Sequence, residues 1–229
     1  MVNNYYFLFA FRIIVIISGL IWIFSNYKIA LIVFLILLCF LLAAYFIVKA
    51  KDYKNDKALS TKRIYLRPWR ASDAEELFRH ASNEDVGPKA GWPAHRTLEE
   101  SRRIIKNELS LLENYAIVFK ETDKPIGSIG LIFEGHSEIP MGKDEVELGF
   151  WLGKDYWGQG LMTEAVKLMV NHIFNDLGYS KIWCGYYDDN IQSKRVQEKC
   201  GFKYDHTEEN HYCPLMDEYR TMHLNYLEK

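Results

Sequence analysis

The chain has 229 residues, 49% of them hydrophobic, and its 28 Lys and Arg nearly balance its 30 Asp and Glu, leaving a formal charge of −2. That length allows one or two domains, and the balance argues against a broadly basic nucleic-acid binder and against an acidic disordered chain. The four cysteines include no C-x-x-C pair, which excludes a disulfide scaffold and a zinc ribbon.

The averages conceal a split. Tyr5–Phe24 and Ile29–Val48 are almost wholly apolar and are separated only by Ser25-Asn26-Tyr27-Lys28. About 20 such residues at a 1.5 Å rise match a hydrocarbon core of roughly 30 Å. The pattern predicts two transmembrane helices (5–24 and 29–48) joined by a tight turn within residues 1–49. A cleaved signal peptide fits less well, because no basic segment precedes the first stretch. Arg12 would snorkel toward the N-terminal headgroups. Ser18 and Gly19 offer a small-residue helix contact, so an oligomer is possible. Lys28 alone occupies the turn, whereas Lys49, Lys51, Lys54 and Lys57 follow the second stretch. The positive-inside bias then predicts a two-pass cell-membrane protein, with the lipid bilayer as partner and both ends cytoplasmic. Residues 50–58 form a basic linker to a separate α/β domain at 59–229. Six of the 28 basic and two of the 30 acidic residues lie in 1–58, so 22 basic and 28 acidic remain in 59–229, a net of −6. That charge favours cationic partners over nucleic acid.

Within 59–229, Arg63–Arg67 reads as a strand ended by Pro68. Ser72-Asp73-Ala74-Glu75 matches a capping box that opens a helix to about Ala81. Asn83–Pro93, rich in Gly, Pro and Trp, reads as a loop. Thr97-Leu98-Glu99-Glu100 is a second capping box, and Ile104, Ile105, Leu109 and Leu112 follow at helical spacing. Tyr115–Glu121 and Pro125–Phe133 flank Thr122-Asp123-Lys124 as a hairpin. Glu145–Leu152 alternates as a strand. Thr163–Leu177 carries Ala165, Met169, Ile173 and Leu177 on one face and stops at Gly178. Lys181–Tyr186 is a strand, Asn190–Cys200 a short helix with Asn190 as N-cap, and Glu218–Tyr226 a final strand. Hairpin-linked strands followed by strand–helix–strand–helix imply an α/β fold of α+β type, with a mixed sheet covered by helices.

Chemistry concentrates at Glu145–Ala165. A strand runs into Gly158-Gln159-Gly160 and then into a helix. Two glycines permit a tight turn with uncovered N–H groups, and a helix start adds further donors and a positive dipole end. Such a junction can cradle a phosphate, although a lone G-x-G is equally a plain strand–helix turn. It matches neither G-x-G-x-x-G nor a P-loop.

Combined with Asn190-x-x-Ser193 and Glu198-Lys199-Cys200-Gly201-Phe202, this junction resembles the GNAT superfamily of acyl-CoA N-acyltransferases. Trp151-Leu152, Tyr156-Trp157-Gly158-x-Gly160 and Thr163-Glu164-Ala165 look like its branch of ribosomal-protein N-terminal acetyltransferases. So do Thr61-x-Arg63-x-x-Leu66-Arg67-Pro68, Gly91-Trp92-Pro93 and Thr97-x-Glu99-Glu100-Ser101. The resemblance covers about 60–227 and implies a GNAT-like fold with acetyl-CoA as co-substrate and no metal. It implies that backbone amides of Trp157, Gly158, Gln159, Gly160, Leu161, Met162 and Thr163 hold the pyrophosphate. Phe150, Trp151 and Leu152 would pair with the pantetheine arm, and Asn190 and Ser193 would face the arm and thiol. Trp157 and Met162 stand where the family has a basic or amide residue and a small one. The resemblance also places a carboxylate base at Glu147, which shares a strand face with Glu145 and Gly149; a solvated glutamate is the alternative. A backbone N–H near Leu152 would serve the oxyanion. The family's usual tyrosine acid is replaced by Gln197, leaving Ser193 as substitute. The acceptor would be a primary amine: a protein N-terminus, polyamine, aminoglycoside or amino sugar. An inactive acyl-CoA-binding module and a membrane-assembly scaffold are the rival readings. His206, His211 and Cys213 match no zinc spacing. Cys184, Cys200 and Cys213 read as reduced core cysteines.

Overall fold

The computed structural model describes residues 11–19, 31–45 and 59–229. The chain divides into two units, Met1–Asn55 and Asp56–Lys229. In the first, residues 11–19 and 31–45 are helical. Among the described residues, no helix is long and apolar enough to cross a membrane. The expected transmembrane hairpin is therefore not found among the described residues, and the expected two-pass cell-membrane localisation with its cytoplasmic orientation is overturned. Arg12, expected to snorkel, stands exposed on the first of these segments. The turn at 25–28 and the linker at 50–58 lie outside the described residues.

The second unit is a seven-stranded sheet with helices on both faces. Its elements are β1 (Ile64–Pro68), α1 (Ala74–Ala81), α2 (Leu98–Ile104), β2 (Asn114–Phe119), β3 (Lys124–Ile132) and β4 (Glu145–Leu152). They continue as α3 (Leu161–His172), β5 (Lys181–Tyr187), α4 (Ile191–Lys199), β6 (Lys203–Cys213) and β7 (Glu218–Glu228). The sheet order is β1-β2-β3-β4-β5-β7-β6. Every neighbouring pair is antiparallel except β4 and β5, which run parallel. The mixed sheet expected from the order of elements is present.

α3 forms because Leu161, Met162, Ala165, Val166 and Met169 recur at helical spacing and all are buried. They pack with Leu66, Ile129, Val146, Leu148 and Ile182 from one sheet face. Each such large side chain removed from water contributes about 1.5–3 kcal/mol. The helix ends in a single wider turn, Ile173–Leu177, and Gly178 then takes φ +81°, a left-handed conformation open to glycine at little cost. On the other face, Ala74, Leu77 and Ala81 of α1 meet Trp69, Ala116 and Val118.

Four details differ from the sequence reading. The first helix is not capped by Ser72: a short 3-10 turn, Ala71–Asp73, precedes it, and Asp73 accepts from the Arg70 backbone N–H at 2.8 Å. Asp73 is committed there because Arg67, buried like it, donates to both its oxygens at 2.6 and 2.9 Å. The second capping box is half formed. Thr97 Oγ1 accepts from the Glu100 N–H at 3.1 Å, but Glu100 reaches the N–H of Arg96, at 2.7 Å, instead of Thr97. The third helix opens at Leu161, two residues earlier than Thr163, because Gly160 supplies the turn. Finally, β6 was unforeseen. It is an edge strand on which only Cys213 is buried, so its sequence lacks the alternation that marks a half-buried strand.

Candidate active site

β4 and β5 pair at only three positions, Glu145↔Lys181, Val146↔Ile182 and Glu147↔Trp183. Beyond Glu147 the strands separate. β4 continues against β3 through Phe150↔Ile129, Trp151↔Ser128 and Leu152↔Gly127, so its edge toward β5 carries unpaired backbone groups. β5 takes its other neighbour, β7, along its whole length. The divergence opens beside a cavity of about 300 Å³ bounded by the end of β4, the glycine loop, the first turn of α3 and one face of α4.

The glycine loop is built for backbone donors. Gly158 and Gly160 take φ +74° and +77°. A Cβ on Gly158 would meet nothing within 4 Å, so the demand there is for the left-handed dihedral and not for space. Gly160 is the N-cap of α3, and no side chain caps that end. The first bond back to the cap is from the Glu164 N–H to the Gly160 carbonyl, at 3.1 Å. The N–H groups of the first turn before Glu164, Leu161 to Thr163, therefore lack intrahelical partners. An aspartate or serine cap would have consumed one of them; glycine leaves them open at the positive end of the helix.

The loop is held from behind. Arg63 Nη2 donates to the Gln159 carbonyl at 2.9 Å while its Nε donates to Glu164 at 2.8 Å, and Thr61 Oγ1 donates to Glu164 at 2.6 Å. Burial pushes the Glu164 carboxyl up, but the Thr61 and Arg63 bonds outweigh it and hold the group below its ordinary value.

Eleven of the expected site residues line this cavity: Phe150, Trp151 and Leu152 on β4, Trp157, Gly158 and Gly160 in the loop, Leu161, Met162 and Thr163 on α3, and Asn190 and Ser193 on α4. Gln159 does not; its side chain turns back to donate to the Asp155 carbonyl at 3.1 Å. The Trp157 indole N–H donates to the Leu152 carbonyl at 2.7 Å, which ties the loop to the end of β4. Asn190 has both halves of its amide engaged. Its oxygen caps α4 by accepting from the Ser193 N–H at 3.1 Å, and its nitrogen donates to the Lys89 carbonyl at 2.8 Å. N-capping and cavity lining thus coexist in one residue.

Glu147 lies apart from that lining. It is half-buried at the last paired position of β4, on the strand face opposite Leu148. Ser137 donates to its carboxylate at 2.6 Å. Burial pushes this carboxyl above its ordinary value; the Ser137 bond opposes the shift, the Glu138 charge adds to it and His211 works against it. A carboxylate with a raised pKa is a better proton acceptor than a solvated one. Glu145, on the same face, is occupied structurally by the Trp183 indole N–H at 2.8 Å. The Trp92 ring packs edge-on against Trp151 at 5.6 Å on this side of the sheet.

Sequence reasoning missed the cationic part of the site. Lys89, Arg195 and Lys199 also line the cavity. A signal existed on α4, where Gln192, Arg195, Val196 and Lys199 follow an i, i+3, i+4, i+7 pattern and form one helix face. Lys89 had no such signal, because its loop reaches the site only through tertiary contacts. Burial pushes the Cys184 thiol well up and that of Cys200 up, so neither offers a ready thiolate. His211 is bound by carboxylates, Glu138 at 2.9 Å and Glu208 at 2.7 Å.

The acetyltransferase (GNAT) domain family matches residues 63–203. This chain belongs to that family. It is 32% identical over 155 residues to the probable N-acetyltransferase YjcK of Bacillus subtilis, covering 63% of this chain and 82% of that protein. It is 28% identical over 116 residues to the ribosomal-protein-serine acetyltransferase of Escherichia coli, covering 48% and 62%. Among solved structures, a GNAT-family acetyltransferase from Bacillus anthracis superposes with a TM-score of 0.65 at 18% identity, covering 74% of this chain and 97% of that one. The GNAT chain described here is an acetyl-CoA-dependent N-acetyltransferase.

Proposed function

We propose that residues 59–229 form the catalytic domain and that it transfers the acetyl group of acetyl-CoA to the α-amine of a protein or peptide by direct attack. One observation carries the donor half of this reading: two left-handed glycines lead into an uncapped helix whose N–H groups open onto the cavity beside the β4–β5 divergence. Such donors suit a diphosphate, and Lys89, Arg195 and Lys199 add positive charge around it. The pantetheine arm, itself an amide chain, would pair along Phe150–Leu152 as an added strand, using the edge groups other than the Leu152 carbonyl, which Trp157 holds.

The acceptor arrives as an ammonium and must lose a proton before its lone pair can attack. Glu147 takes that proton, directly or through a water. The nitrogen then bonds to the thioester carbon, and a backbone N–H near Leu152 stabilises the oxyanion. As the C–S bond breaks, its electron pair stays on sulfur, and the Ser193 hydroxyl donates a hydrogen bond to the departing thiolate. The nitrogen, positively charged once it has bonded to carbon, gives its second proton to solvent as the amide forms; sulfur gains one proton from solvent and Glu147 releases the first, so one proton is liberated per turnover. The negative charge of Glu147 also attracts the incoming cation. A protein amine is favoured over a polyamine, aminoglycoside or amino sugar because one relative acts on ribosomal-protein serine.

The test is calorimetry with coenzyme A on the folded full-length chain, followed by turnover of acetyl-CoA with the four amine classes. A peptide with a free N-terminal serine is expected to be acetylated fastest. Absence of heat with coenzyme A would remove the cradle; turnover of the small amines alone would remove the protein acceptor.

A further inference from the structure

We infer that Gln197 is a positioning residue that compels Ser193 to present its hydroxyl proton to the cavity. The inference rests on the reading of Ser193 as donor to the departing sulfur and adds what gives that serine its direction. Gln197 is fully buried on α4, one turn beyond Ser193. Its amide nitrogen donates to Ser193 Oγ at 3.1 Å and to the Gly185 carbonyl of β5 at 3.3 Å. Its oxygen accepts from Asn225 of β7 at 2.8 Å.

The polarity of this chain is fixed by one atom that cannot change role. A backbone carbonyl only accepts. The end of the Gln197 amide facing Gly185 must therefore be the nitrogen, whichever way the side chain might otherwise turn. The other N–H of the same nitrogen then points at Ser193, so Ser193 Oγ must accept. A hydroxyl has a single proton. With one lone pair engaged by Gln197, Ser193 Oγ has no other hydrogen-bond partner among the described residues, and Ser193 lines the cavity. Its O–H is left to face the thioester as a donor.

The far end of the chain bears the cost of this polarity. Asn225 is buried and its Oδ1 has no partner among the described residues. Turning both amides round would let that oxygen accept from Gln197, but it would leave the Asn225 nitrogen without an acceptor in its place. Doing so would set the Gln197 oxygen against the Gly185 carbonyl and would make Ser193 spend its proton on Gln197. The arrangement present leaves the orphaned oxygen on Asn225 and keeps a donor at Ser193. Burying an unsatisfied acceptor is unfavourable, so the contact with Gly185 prevails over it.

The experiment is a double-mutant cycle in the full-length chain, with Gln197→Leu and Gln197→Glu each made alone and with Ser193→Ala. Thiol release from acetyl-CoA is followed with the N-terminal serine peptide and also without it, so that slow hydrolysis supplies the rate if the peptide is refused. Coenzyme A affinity and the melting temperature are measured for each. Ser193→Ala is expected to slow release about tenfold or more. Gln197→Leu, which frees the hydroxyl to rotate, should slow it about three- to tenfold at unchanged coenzyme A affinity. Gln197→Glu keeps the volume but only accepts when ionised, so it should capture the Ser193 proton and be the slower of the two. With Ser193→Ala in place, neither Gln197 change should slow release further, because residues acting through one another are non-additive. Full additivity, or an unchanged rate in both Gln197 variants while Ser193→Ala is slow, would overturn the inference alone. An unchanged rate in Ser193→Ala would overturn the role of Ser193 and the inference with it. If Gln197→Leu fails to fold, the Gln197→Glu cycle decides by the same criterion.

Discussion

Replacing Gly158 by alanine separates backbone strain from ligand binding, because the fold supplies a matched control. Gly158 and Gly178 have φ of +74° and +81°, and a Cβ on either would meet nothing within 4 Å. Neither substitution clashes, so each costs only the left-handed dihedral, about 1–2 kcal/mol. Restricting the unfolded chain returns about 0.4–1 kcal/mol. The net loss for each variant is then on the order of 1 kcal/mol, which lowers Tm by about 2–4 °C in a domain of this size. The two should differ in binding. Gly178 follows α3 at the end away from the cavity, whereas Gly158 lines it. If alanine relaxes the loop out of the left-handed region, one amide loses its aim at the diphosphate. A hydrogen bond to a charged group is worth about 1.5–3 kcal/mol, or about 10- to 150-fold in Kd. Melting of the ligand-free proteins and calorimetry with coenzyme A measure the two quantities. The expected result is equal Tm losses with weakened binding in Gly158→Ala only. Coenzyme A affinity within twofold of the parent in Gly158→Ala, beside the same Tm loss as Gly178→Ala, would refute the cradle.

Glu147→Gln should lower kcat about 100-fold or more, the usual scale of a general base, while coenzyme A affinity stays the same. In the parent, the rate should climb with pH through a value above the ordinary carboxylate range, since the raised carboxyl must ionise to act; the variant should lose that limb. A raised native pKa gives stability that is full below the unfolded value and is lost as pH rises through the native one. Glu147→Gln should therefore melt higher than the parent at neutral pH, and a lower melting point would count against burial as the cause of the shift. Arg63→Ala frees the Gln159 carbonyl and Glu164, and is expected to weaken coenzyme A binding about three- to tenfold by calorimetry without touching the ligand itself. Asp73→Ala leaves Arg67 buried without its partner, at a cost of about 3–5 kcal/mol. That corresponds to a fall in Tm of about 6–20 °C, and a fall under 3 °C would show the pair to be dispensable.

What the sequence determined by itself is local. The alternation of Glu145–Leu152, the two glycines after it and the apolar stripe of α3 each sit within a few residues, so strand, turn and helix were legible. The Asn190 cap and the Gly178 stop were readable for the same reason. The two apolar N-terminal stretches read as membrane spans from composition alone, and among the described residues no helix is long and apolar enough to cross a membrane. Tertiary structure decided everything that depends on where two distant strands part. The separation of β4 from β5 begins after Glu147, the last paired position, and opens the edge beside the cavity. Lys89 joins the site through the Asn190 amide, a contact spanning about a hundred positions of chain. Gln197 looked like a missing tyrosine; its role follows from a carbonyl on β5 and an amide on β7 that only the folded sheet brings beside it. Hydrogen-bond polarity is a property of assembled neighbours, and no spacing along α4 encodes it.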